Sequence, residues 1–156
     1  SAGRWHEELP MSYGVLLVLH LLAAIAFVGT VFFEVVMLEG VRKHLPQETM
    51  RAVERAIGDR ATAVMPWVLL TLYAAGLGLA WQHRAALTQP LASSFGLLLT
   101  LKIALALSVF GHFATAMVWR RRGVLGDQRS RRLHLSVFCH VLAIVLLAKA
   151  MFYLQW

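Results

Sequence analysis

Four long apolar segments constrain this chain more than any other feature of its sequence. They cover residues 12–38, 61–81, 95–119 and 133–156, and none contains a long polar interruption. A helix needs about 20 apolar residues to cross a bilayer. Because lipid offers no partner to an unpaired backbone group, each segment should be a helix. The sequence therefore predicts an all-α protein, a single integral membrane domain folded as an up-down-up-down four-helix transmembrane bundle.

Composition supports this class of protein. Apolar residues make up 59% of the 156 residues and charged residues 15%, whereas a soluble domain carries about 25% charged residues. A single cysteine excludes an internal disulfide. We identify no soluble domain, low-complexity tract or clear internal repeat. Seven histidines in so apolar a chain are the residues best suited to carry chemistry.

Basic residues in the linkers predict the orientation. Five follow the first helix and six follow the third, against two, Arg4 and Arg84, on the other side. By the positive-inside rule, both termini should face the periplasm, in a multi-pass protein of the bacterial inner membrane. The linker over residues 40–60 becomes polar and helix-forming after Pro46, which predicts a short surface helix. Pro66 should lie in the first turn of the second helix, where proline is tolerated.

Ionisable residues at membrane depth are costly and often functional; here they are His20, Glu34, Lys102, His112, His140 and Lys149. His112 lies seven residues before the inner end of the third helix, and His140 seven residues after the inner end of the fourth. Both should therefore lie about 10 Å from the inner surface, on antiparallel neighbouring helices. Two imidazoles that face each other in this way can hold a haem iron or another metal.

His20 should lie about 12 Å from the outer surface, and Lys102 at a similar depth, so these two could converge. They form a second candidate set, for a ligand, a propionate or a quinone. Three simpler interpretations stay open: hydrogen bonds of the histidines that only join helices, lysines that extend to the interface, and an ion pair between Glu34 and a loop arginine. No CxxCH, HExxH, Walker A or GxGxxG motif occurs, and no catalytic residue is assigned.

Three stretches carry a resemblance to known families. LHLLAAIAFVGTVFFEVVM in the first helix, RAVERAIGDRATAVMPWVLLTLYAAGLGLAW through the second and LKIALALSVFGH in the third resemble the CopD-like and HemJ-like four-helix membrane proteins. The HemJ-like resemblance implies haem b binding and protoporphyrinogen oxidation, with His20 and Lys102 at the important positions. The CopD-like resemblance implies copper uptake or resistance. Glu34 and Val35 replace the Pro-Arg pair of HemJ-like sequences, which argues against the oxidase activity but not against a porphyrin site.

The leading hypothesis is a b-type haem protein that transfers electrons or oxidises a tetrapyrrole. His112 and His140 are its first choice of axial ligands, and Arg120 or Arg132 could pair with propionates. The alternatives are a CopD-type copper protein with histidine ligands, among them His20, and a cofactor-free accessory or assembly subunit. The expected partners are the lipid bilayer and a redox partner or quinone, with no nucleic acid; self-association stays open.

Overall fold

Residues 11–154 are described by a computed structural model and are almost entirely helical, with no strand among them. The helices are α1 (Met11–Arg42), α2 (Gln47–Gln82), α3 (Arg84–Thr88), α4 (Ser94–Arg121) and α5 (Asp127–Tyr153). All but the short α3 are long and apolar enough to cross a membrane. The all-α, four-helix class is therefore confirmed. Arg4 and Trp156 lie outside the described residues, and the orientation of the termini stays a prediction.

The second and fourth spans begin earlier than expected from the sequence, α5 at Asp127 and not near residue 133. The surface helix after Pro46 is continuous with the second span, so α2 begins at Gln47 and not near residue 61. Residues 47–60 are rich in strong helix formers, and extending a helix costs far less than nucleating one. Pro66 consequently lies well inside α2 and not in its first turn.

One turn of α1 departs from α-helical geometry. Phe33–Leu38 forms a π-helical stretch, after which the chain continues as α-helix to Arg42. Wide turns of this kind shift the register of all following side chains and are frequent at functional sites. Glu34, one of the ionisable residues of the first span, lies within this π-helical stretch.

The bundle consists of two antiparallel helix pairs, α1 with α2 and α4 with α5. The first pair packs closely: a Cβ on Gly78 would come within 2.9 Å of Leu16 Cδ1. The second pair is joined by a short loop in which Gly123 adopts the left-handed φ of 68° that glycine tolerates best. A core of Phe27, Val31, Leu69, Val109, Val137 and Val141 joins the two pairs.

Many large apolar side chains point outward. Trp67 on α2 is 71% exposed and Leu146 on α5 is 70% exposed, which no aqueous surface would favour along the full length of a helix. A lipid surround accounts for this pattern, because lipid tails are as apolar as the side chains they contact.

Candidate functional site

His112 on α4 and His140 on α5 face each other across the seam between these helices. Their ring centroids are 5.0 Å apart and the ring planes are inclined by 57°. The equal depths of the two residues along antiparallel helices predicted this encounter. Whether they bind a metal stays a prediction.

A closed ring of hydrogen bonds connects these two histidines through two serines. On each helix the histidine Nδ1 lies 2.7 Å from the carbonyl oxygen of the serine four residues earlier, Ser108 or Ser136. Across the seam, Ser136 Oγ lies 2.9 Å from His112 Nε2, and Ser108 Oγ lies 3.0 Å from His140 Nε2. Since a carbonyl can only accept, each Nδ1–H donates to it, and each Nε2 of a neutral ring then accepts the serine hydroxyl.

The four residues of this hydrogen-bonded ring come from a short repeat that the sequence analysis missed. Residues 108–112 read SVFGH and residues 136–140 read SVFCH. Placed on antiparallel helices, two copies of a Ser-x-x-x-His motif form a symmetric arrangement, because each serine is one turn away from its own histidine. The fourth position, Gly111 or Cys139, is exposed in both copies. A search for short motifs repeated between neighbouring spans would have found this site.

A porphyrin does not fit between these two rings as they stand. Two axial histidines hold their ring centroids about 6 Å apart, given metal–nitrogen bonds of about 2 Å and about 1 Å from each Nε2 to its ring centre. The separation here is 5.0 Å, and both Nε2 lone pairs already accept serine hydroxyls. The geometry supports a hydrogen-bonded contact between α4 and α5.

His20 on α1 is held differently. Its Nδ1 lies 3.0 Å from the Leu72 carbonyl oxygen on α2, so Nδ1–H donates and Nε2 carries the lone pair. Among residues 11–154, no group makes a hydrogen bond to this Nε2. The ring lies against Gly76, where a Cβ would come within 3.2 Å of His20 Cε1. His20 thus has a fixed tautomer and an Nε2 atom without a hydrogen-bond partner among the described residues.

Lys102 on α4 is close enough to act electrostatically on His20. A shared site for these two residues stays a prediction. Lys102 is partly buried and, within the described part of the chain, makes no hydrogen bond or ion pair. An unpaired ammonium at this depth is costly, and a bound anionic group would offset that cost.

Glu34 pairs with a histidine and not with the loop arginine that we considered. Its Oε2 lies 3.1 Å from His134 Nε2 on α5, and its side chain is only 12% exposed. Two arginines at this end of the bundle are engaged elsewhere: Arg120 pairs with Asp59 at 2.7 Å, and Arg131 pairs with Glu39. Arg120 is consequently a poorer candidate for a free anion than the sequence indicated.

Metal-binding potential is limited in the described residues. No group of three or more His, Cys, Asp or Glu side chains between residues 11 and 154 could surround an ion. His20 offers one coordinating nitrogen, which suits the axial position of a macrocycle that already supplies four nitrogens to its metal. It does not by itself suit a free metal ion held by protein ligands.

Comparisons with models of protein families, with curated proteins and with solved structures find no match to this chain.

Proposed function

We propose that this chain is a multi-pass protein of the bacterial inner membrane that binds haem b through His20 and takes part in electron transfer or tetrapyrrole oxidation. The observation that carries the proposal is the state of the His20 ring. A histidine that ligates a metal usually donates its other ring N–H to a carbonyl or carboxylate. His20 does so through Nδ1 to Leu72 and leaves Nε2 open.

Lys102 gives the second argument. Haem b carries two propionates, and the Lys102 ammonium, which has no partner among the described residues, would pair with one of them and so offset the cost of an unpaired charge at membrane depth. The resemblance to HemJ-like proteins points to the same two residues, on grounds independent of the hydrogen bonds. Bound haem supplies one-electron chemistry; the protein supplies the axial nitrogen, its fixed orientation and the neighbouring charge.

The other candidate functions have less support. A copper transporter would need a set of ligands, and the described residues contain no group of three. A cofactor-free accessory subunit leaves the open Nε2 of His20 and the unpaired Lys102 without a role. A copper transporter should contain copper by elemental analysis and show no Soret band. An accessory subunit should contain neither cofactor and co-purify with a larger complex.

The test is a dithionite-reduced minus oxidised absorption spectrum of the detergent-purified protein, with a pyridine haemochrome assay, after expression with sufficient haem. We expect a b-type spectrum from the wild type and from His112→Ala and His140→Ala, and loss of haem from His20→Ala. A folded wild type without haem would overturn the proposal. Haem retained by His20→Ala but lost from the other two variants would transfer the ligand role to the α4/α5 pair.

A further inference from the structure

A second, separate site lies at the opposite end of the bundle. All four long helices line a cavity of about 680 Å³ at the end that carries the arginine-rich linkers. Apolar side chains such as Phe27, Val31, Met65 and Val109 form part of its wall, and the polar side chains of Glu34 and His112 also line it. His20 and Lys102 do not line it. Cavities of about 300–1,000 Å³ hold small organic ligands, so this one can accept a substantial apolar group.

Most charged side chains at the cavity rim already have partners. Arg42 pairs with both Glu39 and Glu54, Arg131 also pairs with Glu39, and Arg120 pairs with Asp59. These ion pairs connect α1, α2, α4 and α5 at this end of the molecule. They leave little net charge to attract a ligand.

Arg51 and Arg55 are the exception. They lie one turn apart on α2, both line the cavity, and neither makes a hydrogen bond or ion pair to a described residue. Side chains four residues apart on a helix share a face, so the two guanidinium groups present a paired cationic site. Two further acidic residues line the cavity: Asp127, in the first turn of α5, and Glu34, which pairs with His134. Among the lining charges without a partner in the described residues, the two arginines outnumber Asp127, so their balance is positive.

We propose that this cavity binds one anionic phospholipid of the cytoplasmic leaflet, with the phosphate on Arg51 and Arg55 and an acyl chain on the apolar wall. Basic pockets between transmembrane helices on the cytoplasmic side are suited to anionic headgroups, and guanidinium groups bind phosphate in paired geometry. From Arg51 to Met65, α2 rises about 21 Å, compared with about 15 Å for half the hydrocarbon core. The cavity therefore extends from headgroup level to about the middle of the bilayer.

The test is native mass spectrometry of the full chain released from detergent, titrated with phosphatidylglycerol or with phosphatidylcholine. The wild type should bind one phosphatidylglycerol about 25-fold more tightly than phosphatidylcholine. Each arginine near the membrane surface contributes about 1 kcal/mol, or about fivefold in affinity, and the two factors multiply. Arg51→Gln with Arg55→Gln should remove this preference. Arg121→Gln with Arg122→Gln, which removes the same charge outside the cavity, should retain it, and Asp127→Asn should strengthen it.

A second pair of variants tests the acyl chain. Ala116 lines the cavity and Ala114, two residues earlier on α4, does not. Ala116→Phe should weaken phosphatidylglycerol binding several-fold, whereas Ala114→Phe should leave it unchanged. Equal loss in both arginine double variants would overturn the proposal. So would displacement of the lipid by inorganic phosphate together with no effect of Ala116→Phe, because the site would then bind phosphate alone.

Discussion

Histidines lie at two helix seams, one between α1 and α2 and one between α4 and α5. The hydrogen bond of Nδ1 is of the same kind at both seams, whereas the surroundings of Nε2 differ. In both, the histidine Nδ1 donates to a backbone carbonyl, which fixes the ring and its tautomer. At the α4/α5 seam, the Nε2 atoms of His112 and His140 then accept serine hydroxyls. At the α1/α2 seam, the Nε2 atom of His20 accepts nothing from the described residues.

This difference separates two uses of a membrane histidine. A ring with both nitrogens satisfied contributes an interhelical contact and has no lone pair to offer. A ring fixed on one side and open on the other is prepared for a ligand. The distinction depends on the neighbours of the histidine and not on its depth, because all three of these residues lie within apolar spans.

The largest effect on haem binding should follow from displacing the His20 imidazole. At Gly76, a Cβ would lie 3.2 Å from His20 Cε1 and 3.3 Å from Nδ1, so a side chain there must displace the imidazole. We expect Gly76→Leu to lower the affinity for haem by about tenfold or more, a loss of about 1.4 kcal/mol of binding free energy or more, and thereby to lower haem occupancy. The haem-to-protein ratio from the haemochrome assay measures this.

Gly29→Leu is the matched control, because a Cβ at Gly29 meets nothing within 4 Å. It should leave the haem-to-protein ratio at the wild-type value. Normal occupancy in Gly76→Leu would show that the position of the His20 ring is irrelevant to the cofactor.

Loss of the hydrogen bonds between the two serines and the two histidines of α4 and α5 should lower the stability of the protein and leave haem binding unchanged. Ser108→Ala with Ser136→Ala removes both hydrogen bonds between α4 and α5 while retaining both histidines. Interhelical hydrogen bonds in membranes contribute about 0.6–2 kcal/mol each, so the double variant should lose about 1–4 kcal/mol of unfolding free energy in an SDS titration followed by circular dichroism.

Haem occupancy should be unaffected in this double variant, because the ring is separate from His20. Ser93→Ala is not a suitable control, since Ser93 caps α4; Thr115→Ala is better, because its hydroxyl bonds only to its own helix at Gly111. A loss of haem without a loss of stability would reverse the roles assigned to the two seams.

The fold was predictable from the sequence because lipid imposes a strong rule: a long apolar segment must be a helix. The depths of His112 and His140 were equally predictable, since they follow from counting along a straight helix. The π-helical stretch around Glu34 was not predictable, because no single residue type encodes it. The serine partners were also missed, since the interpretation weighed ionisable residues and gave no weight to hydroxyls one turn away.

The smallest expected effect concerns Glu34 and His134, which join α1 to α5. The Glu34 side chain is 12% exposed and the His134 side chain 42% exposed, so the protein encloses the pair only in part. A double-mutant cycle with Glu34→Gln and His134→Gln should give a coupling free energy of about 1 kcal/mol or less. His134→Gln alone should cost more stability than Glu34→Gln alone, because it leaves a largely buried carboxylate without its partner. The same SDS titration measures all four proteins, and the reverse order of the single variants would mean that His134, and not the Glu34 carboxylate, is the costly group to leave unpaired.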